Sequence, residues 1–460
     1  MKKLFLFLPL IYLPSLFTFF SADDWYHLRI AQINSLWQFL NFFSFEHTAQ
    51  SISFYRPLST QVFFFIFQKI FGLNPYPYHI FVLVCFFLSL FLVYRLAAHL
   101  LNSKSKAVLS VVIYGFSVSN FTRIYFISAF QEIVLVMFSL LCILHYLKSG
   151  MRNRLLSLGF FFLALLSKET AVILPVVFIL LDWSKKQINF RKIIPFVLIL
   201  LPYLYLRLFR FGLVAGDSYT WDFSPIKAAN TLVWYVLWAV GSPELLIDYI
   251  GSGFRPINKF FVDFPYWWPA ILGLTVSTTS LLGFLFLKSV NKLGRTILTF
   301  VVLFVLSLSP VIFLPSHKFT LELGLPLVWF SFAVAILVPV KGKLLQLFLT
   351  LFLLLNLSMN YLTYSHHYSV NRGVISKKVY DHFSTQYSKA PENSYFEFVN
   401  DTPLKSKEWG SSKQIANSIG GSELFRVIYR DEQYNVYFED LSGVRPSAKQ
   451  IPISTKMFLE

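Results

Sequence analysis

Ile80–Ala98 reads IFVLVCFFLSLFLVYRLAA, with Arg95 as its one charge. A mostly apolar run of about 18 residues or more is long enough to cross a bilayer as a helix. Ile297–Leu314 is a second such run. The rest of the chain has the same character: of 460 residues, 56% are hydrophobic and 14% charged, whereas an average soluble domain carries roughly 25% charge. The expectation is an all-α polytopic membrane protein, and an ordinary soluble fold is excluded.

The formal charge of +17 suggests nucleic acid until its placement is considered. The cations sit in short clusters between apolar runs: Lys2/Lys3, Lys104/Lys106, Lys148/Arg152/Arg154, Lys185/Lys186/Arg191/Lys192, Lys288/Lys292/Arg295 and Lys341/Lys343. That is the positive-inside pattern, which puts these clusters and the N-terminus on the cytoplasmic side. Alternating them with outer segments predicts about eleven crossings, at roughly 4–20, 78–99, 106–121, 126–147, 155–167, 170–183, 191–212, 267–288, 294–314, 324–340 and 344–362. The C-terminus then lies outside, at the plasma membrane if the source is prokaryotic. Met1–Phe20 is expected to remain as an anchor, because cleavage after Ala22 would put Phe20 where a small residue is needed. Cys85 and Cys142 lie inside apolar runs, where a thiol behaves as a small hydrophobe.

Leu155–Trp183 offers 29 residues for two passes, whereas each full span takes about 20. Its tip, Ser167-Lys168-Glu169, must therefore end in protein or in a water-filled cavity, because charge and irregular backbone are not tolerated against lipid. An outward-open cavity floored by Lys168 and Glu169 is expected. The outer loop 21–77 reads as two interfacial helices, Asp23–Phe39 and Leu58–Phe71, the first begun by a capping-box-like Ser21-x-x-Asp24. In the outer loop 213–266, Thr231–Val240 is too short to span and stops at Gly241-Ser242-Pro243. Residues 1–362 thus form the transmembrane domain. Residues 365–460 turn polar and predict a small extracytoplasmic α/β domain. Its expected elements are a helix at Lys377–Tyr387, strands at Ser394–Val399 and Tyr434–Glu439, and helices over Ser412–Tyr429 split near Gly420-Gly421.

Charged residues at outer helix ends converge on one side: Asp23, Asp24, His27, Arg56, Arg123, Glu132, Lys168, Glu169, His317, Lys318 and Glu322. Asp23-Asp24 suits a helix N-terminus, and equally a base that takes a proton from an acceptor hydroxyl. Arg56 either snorkels to the head groups or binds a lipid phosphate with its planar fork. Lys168 with Glu169 is an ion pair at a tip that has no structural need for one. The pair His366-His367 reads as part of a solvated tether. No phosphate-cradling glycine loop, HExxH or DxD motif is present.

Taken in order, these pieces resemble the GT-C superfamily of polyprenyl-phosphate-sugar-dependent membrane glycosyltransferases, and within it the protein O-mannosyltransferase-like branch. The pieces are Asp23-Asp24, Tyr55-Arg56-Pro57-Leu58, Phe71-Gly72-Leu73-Asn74-Pro75 into Tyr78-His79, Phe130-Gln131-Glu132, Leu166-Ser167-Lys168-Glu169 with Pro175, and Lys318-Phe319 through Leu325-Pro326. The resemblance implies inverting transfer of a monosaccharide from a polyprenyl-phosphate donor to a protein, lipid or glycan hydroxyl on the non-cytoplasmic face. Asp23 or Asp24 would be the base. Arg56, Lys168 and Lys318 would neutralise the departing phosphate, with His27, Arg123, Glu132 and Glu169 around the donor. The resemblance names no definite cofactor, and a divalent cation stays open. The family often has Asp-Glu where this chain has Asp23-Asp24, and Lys405-Ser406-Lys407-Glu408-Trp409-Gly410 looks like tails of bacterial members. The alternative is a transporter or flippase of lipid-linked saccharides, which calls for symmetric halves and mid-membrane charges. No such symmetry is evident.

Overall fold

The computed structural model describes residues 7–51, 54–212, 216, 219–289, 294–401 and 410–460. The basic cluster Lys2/Lys3, Lys292 and the segment Lys405–Trp409 lie outside the described residues. Among the described residues six helices are long and apolar enough to cross a membrane: Pro75–Leu101, Ile127–Tyr146, Phe190–Phe211, Trp268–Ser289, Thr320–Leu337 and Lys343–Gln386. The bent pair Lys104–Phe116 and Val118–Tyr125, broken by 56°, brings the number to seven at most.

The described residues thus leave the expected eleven crossings unconfirmed: the first begins outside them, and several others coincide with shorter helices. Leu8–Phe17 passes from α-helix to 3-10 helix at Leu13-Pro14. The hairpin arms Met151–Ser167 and Leu174–Ser184, and Arg295–Leu308, are each shorter than a full span.

Ile127–Tyr146 and Thr320–Leu337 are central and largely covered by protein, whereas Phe190–Phe211 and Trp268–Ser289 leave most of their apolar surface facing outward. Around the central pair, Phe130–Tyr146 lies along Met151–Ser167, and Gly324–Leu337 along Arg295–Leu308 and Lys104–Phe116. The motif Phe71-Gly72-Leu73-Asn74-Pro75 is a helix-to-helix turn. Gly72 takes φ +60° to end Phe63–Phe71, the Asn74 side chain accepts from the Tyr76 amide, and Pro75 opens Pro75–Leu101.

The break at Ser117 frees backbone groups that would be costly in an apolar interior. Asn356 satisfies one of them, accepting from the Val118 amide at 2.9 Å, and it ties the break to two other segments by donating to the Val240 carbonyl at 3.2 Å and to the Phe352 carbonyl at 2.9 Å. Its close approach is possible because Gly241, at φ +129°, has no Cβ, which would stand 2.5 Å from the Asn356 amide nitrogen. The helix before Gly241 starts earlier than expected and runs Pro225–Val240.

The first expected interfacial helix, Asp23–Phe39, is two helices, Asp23–Ile30 and Leu36–Asn41. The first is no surface helix, since Asp24, Trp25, Leu28 and Ile30 are all buried. The C-terminal segment holds a three-stranded parallel sheet ordered β2-β1-β3, with β1 Ser394–Val399, β2 Tyr437–Phe438 and β3 Lys449–Ser454. β1 and the helices Ser411–Ile419 and Glu423–Tyr429 fall where expected; β2 is shorter than expected, and β3 was missed.

Candidate active site

Arg56, Lys168, Glu169, Arg207, Tyr219, His317 and Glu322 line one cavity of about 200 Å³ whose other walls include Phe54, Val172, Leu204, Trp221, Val311 and Leu314. The hairpin explains how charge comes to be there. Lys168 is an extended residue between Met151–Ser167 and the 3-10 turn Glu169–Ile173, so consecutive side chains diverge. Glu169 meets Arg56 as a two-pronged pair, at 2.8 Å to Nε and 2.6 Å to Nη2, while Arg56 Nη1 donates to Gln131 at 2.6 Å. Lys168 Nζ instead lies between Glu132 and Glu322, the latter at 2.7 Å, and is almost wholly buried. His317 stands 3.7 Å from Glu322.

These pairs follow from dielectric. An ion buried without a partner costs several kcal/mol or neutralises itself, so Arg56 and Lys168, both buried, are each matched by carboxylates. Arg207 is different. It is buried and faces the same cavity, yet its Nε and Nη1 have no hydrogen-bond partner among the described residues. Its guanidinium lies over the Phe211 ring at 5.0 Å. Sequence reasoning missed it because Arg207 lies near the end of an apolar helix and reads as a snorkelling cation; its position directly after the basic-free stretch Phe196–Leu206 was the available signal.

The remaining sequence candidates do not line this cavity. Arg123 is buried beside Glu132, bonded to Asn120 at 2.6 Å and to the Ser119 carbonyl at 3.3 Å, where Gly324 leaves room for it. Lys318 is half-buried against Asn230 at 3.2 Å. Glu132 reaches the site through Lys168.

The acidic pair divides. Asp24 is buried and accepts three hydrogen bonds: from the Ser21 amide at 2.9 Å, the Ser128 amide at 2.8 Å and the Ser128 hydroxyl at 2.5 Å. The Ser21 bond is the backbone half of the expected capping box. Burial pushes the Asp24 pKa up to about 7 against those bonds. Ser128 also meets His27 Nδ1 at 3.0 Å, and burial followed by the charge of Arg56 pushes His27 down to about 3, so its ring is neutral. Asp23 leaves much of its side chain open to solvent. Protein nevertheless crowds it on its other sides, and that crowding raises its pKa, opposed by the charge of Arg372.

His367 is no solvated tether. It is buried, with Nε2 3.4 Å from Glu244, whose other oxygen accepts from the Thr320 amide at 2.7 Å. Among the described residues, no three His, Cys, Asp or Glu side chains gather as a metal site.

Residues 56–207 match the family model described as dolichyl-phosphate-mannose-protein mannosyltransferase. The matched segment carries Arg56, Arg123, Glu132, Lys168 and Glu169 and ends on Arg207, while Asp23 and Asp24 precede it. The resemblance to the mannosyltransferase-like GT-C branch is thus borne out over this segment, and with the apolar helices it supports an integral membrane glycosyltransferase of the mannosyltransferase type. Neither a curated protein nor a solved structure matches the chain.

Proposed function

We propose that the chain transfers a monosaccharide from a polyprenyl-phosphate donor to an acceptor hydroxyl on protein, lipid or glycan at the non-cytoplasmic face, with Asp23 as the base. The observation that carries this is Arg207, a buried residue in the wall of a largely apolar cavity, two of whose guanidinium nitrogens have no hydrogen-bond partner among the described residues. Arg56 and Lys168 already spend their charge on Glu169, Glu132 and Glu322. Among the described residues that line the cavity, Arg207 is the cation left to meet a phosphate, and a planar fork suits phosphate oxygens.

In the step itself the acceptor oxygen attacks the anomeric carbon from the face opposite the phosphate, which inverts that carbon. The bond from the anomeric carbon to the phosphate oxygen breaks, and its electron pair leaves with the polyprenyl phosphate. The acceptor proton passes to the Asp23 carboxylate. The extra negative charge on the leaving phosphate develops opposite Arg207, where a fixed cation in a water-poor site is most effective. Arg56 keeps its place as a wall that sets the field, and Asp24, bonded to Ser21 and Ser128, anchors the turn from which Asp23 projects.

The test is release of polyprenyl phosphate from polyprenyl-phosphate mannose by the full chain in proteoliposomes supplied with membrane acceptor. Arg207→Gln should lower turnover by on the order of 10²–10³-fold, the usual cost of one such electrostatic donor. Turnover unchanged by Arg207→Gln overturns the phosphate role.

A further inference from the structure

The acidic turn is gripped by a part of the chain almost four hundred residues away, for which the transfer chemistry gives no reason. Ala22, immediately before Asp23, has φ +47° and ψ −116°, a backbone region that an L-residue rarely adopts and that persists only when the surroundings impose it. The surroundings are C-terminal. The Ala22 amide donates to the Ser418 carbonyl at 2.8 Å. Gly420, itself at φ +67°, lies so close to the Ala22 carbonyl that a Cβ there would stand 2.7 Å from the oxygen.

Two further contacts hold the rest of the helix that follows. Arg29 Nε pairs with Glu423, which also takes Arg426 at 2.8 Å, and the Gln32 side chain donates to the Val427 carbonyl at 3.2 Å. From the other side Trp25 Nε1 donates to Ser376 at 2.8 Å, and Gly373 abuts the Phe19 backbone.

We infer that the turn Ser418–Glu423 is a positioning element for the transfer reaction: by pinning Ala22 it fixes the direction in which Asp23 leaves the backbone. This rests on Asp23 being the base. Asp24 is fixed independently, through Ser21 and Ser128. Two attachments, one to Ser128 and one to Ser418, thus hold the residues on either side of Asp23, whose own side chain has no hydrogen bond to either. The C-terminal segment acts on catalysis without touching substrate.

Gly420 and Gly421 make the test clean, because both have left-handed backbones, at φ +67° and +65°, but a Cβ on Gly421 meets nothing within 4 Å. Gly420→Ala and Gly421→Ala therefore carry the same conformational cost, and only the first pushes on Ala22. In full-length protein in proteoliposomes, Gly420→Ala should lower kcat by roughly tenfold or more, as an ångström-scale displacement of a reacting group can cost on the order of 10²-fold. Gly421→Ala should stay near the parent value, and KM for polyprenyl-phosphate mannose should be unchanged in both. Equal kcat losses in the two variants, or a loss confined to KM, overturn the inference. Asp23→Asn, run alongside, separates the two claims. If it abolishes turnover while Gly420→Ala leaves kcat intact, the base stands and the positioning role falls; if it leaves turnover intact, the base assignment falls and takes the positioning role with it.

Discussion

The cavity at Lys168 and the turn at Asp23 treat charge in opposite ways. In the cavity every sequence-predicted ion is matched: Arg56 by Glu169, Lys168 by Glu132 and Glu322. At the turn one carboxylate, Asp24, is enclosed and bonded three times, and its neighbour is open. Motif logic singles out the paired residues, because pairs recur. The transfer mechanism proposed above assigns reactivity to the unpaired ones, Arg207 in the first region and Asp23 in the second. The matched ions are the frame that makes the unmatched ones affordable in a low-dielectric setting.

Three experiments bear on that contrast. The largest effect is expected for Asp23→Asn, which keeps shape and removes basicity. Turnover should fall by about 10²–10⁴-fold, the range for general base catalysis, with thermal stability in detergent unchanged; a parallel loss of stability would mean that Asp23 belongs with the structural ions. Next comes Lys168→Met, which leaves Glu132 and Glu322 buried and facing each other without their cation. Breaking a buried pair in this way costs about 3–5 kcal/mol, so the variant should lose thermal stability as well as activity, and a stable but inactive Lys168→Met would move Lys168 to the reactive class.

The smallest effect is a pH dependence. Asp24 has a folded pKa raised to about 7, so its favourable contribution is whole below the unfolded value near 3.8 and is lost as pH rises from there through about 7. The parent protein should unfold at lower temperature at pH 8 than at pH 5, and Asp24→Asn should flatten that slope. Identical slopes would show that the enclosed carboxylate is not the group that titrates.

Much of this contrast was legible in the chain. Lys168 and Glu169 had to meet protein or water because 29 residues cannot make two full passes, and they line the cavity. Strand β1 and the split at Gly420-Gly421 were readable from local alternation and from paired glycines. Arg207 was not, since its significance is the absence of a partner, and only the assembled neighbours disclose that. His367 looked solvated because nothing near it in sequence predicts Glu244 as a partner.

The sequence by itself determined the membrane class, because the cost of burying charge in lipid is paid residue by residue and shows in composition and period. It also determined where helices stop, at Gly72, Gly241 and Gly420, since backbone freedom is a local property. Only the tertiary structure decided which of two adjacent aspartates is enclosed, and that Ser418 and Gly420 hold Ala22. Those outcomes depend on contacts between segments hundreds of residues apart, and no local propensity encodes such a distance.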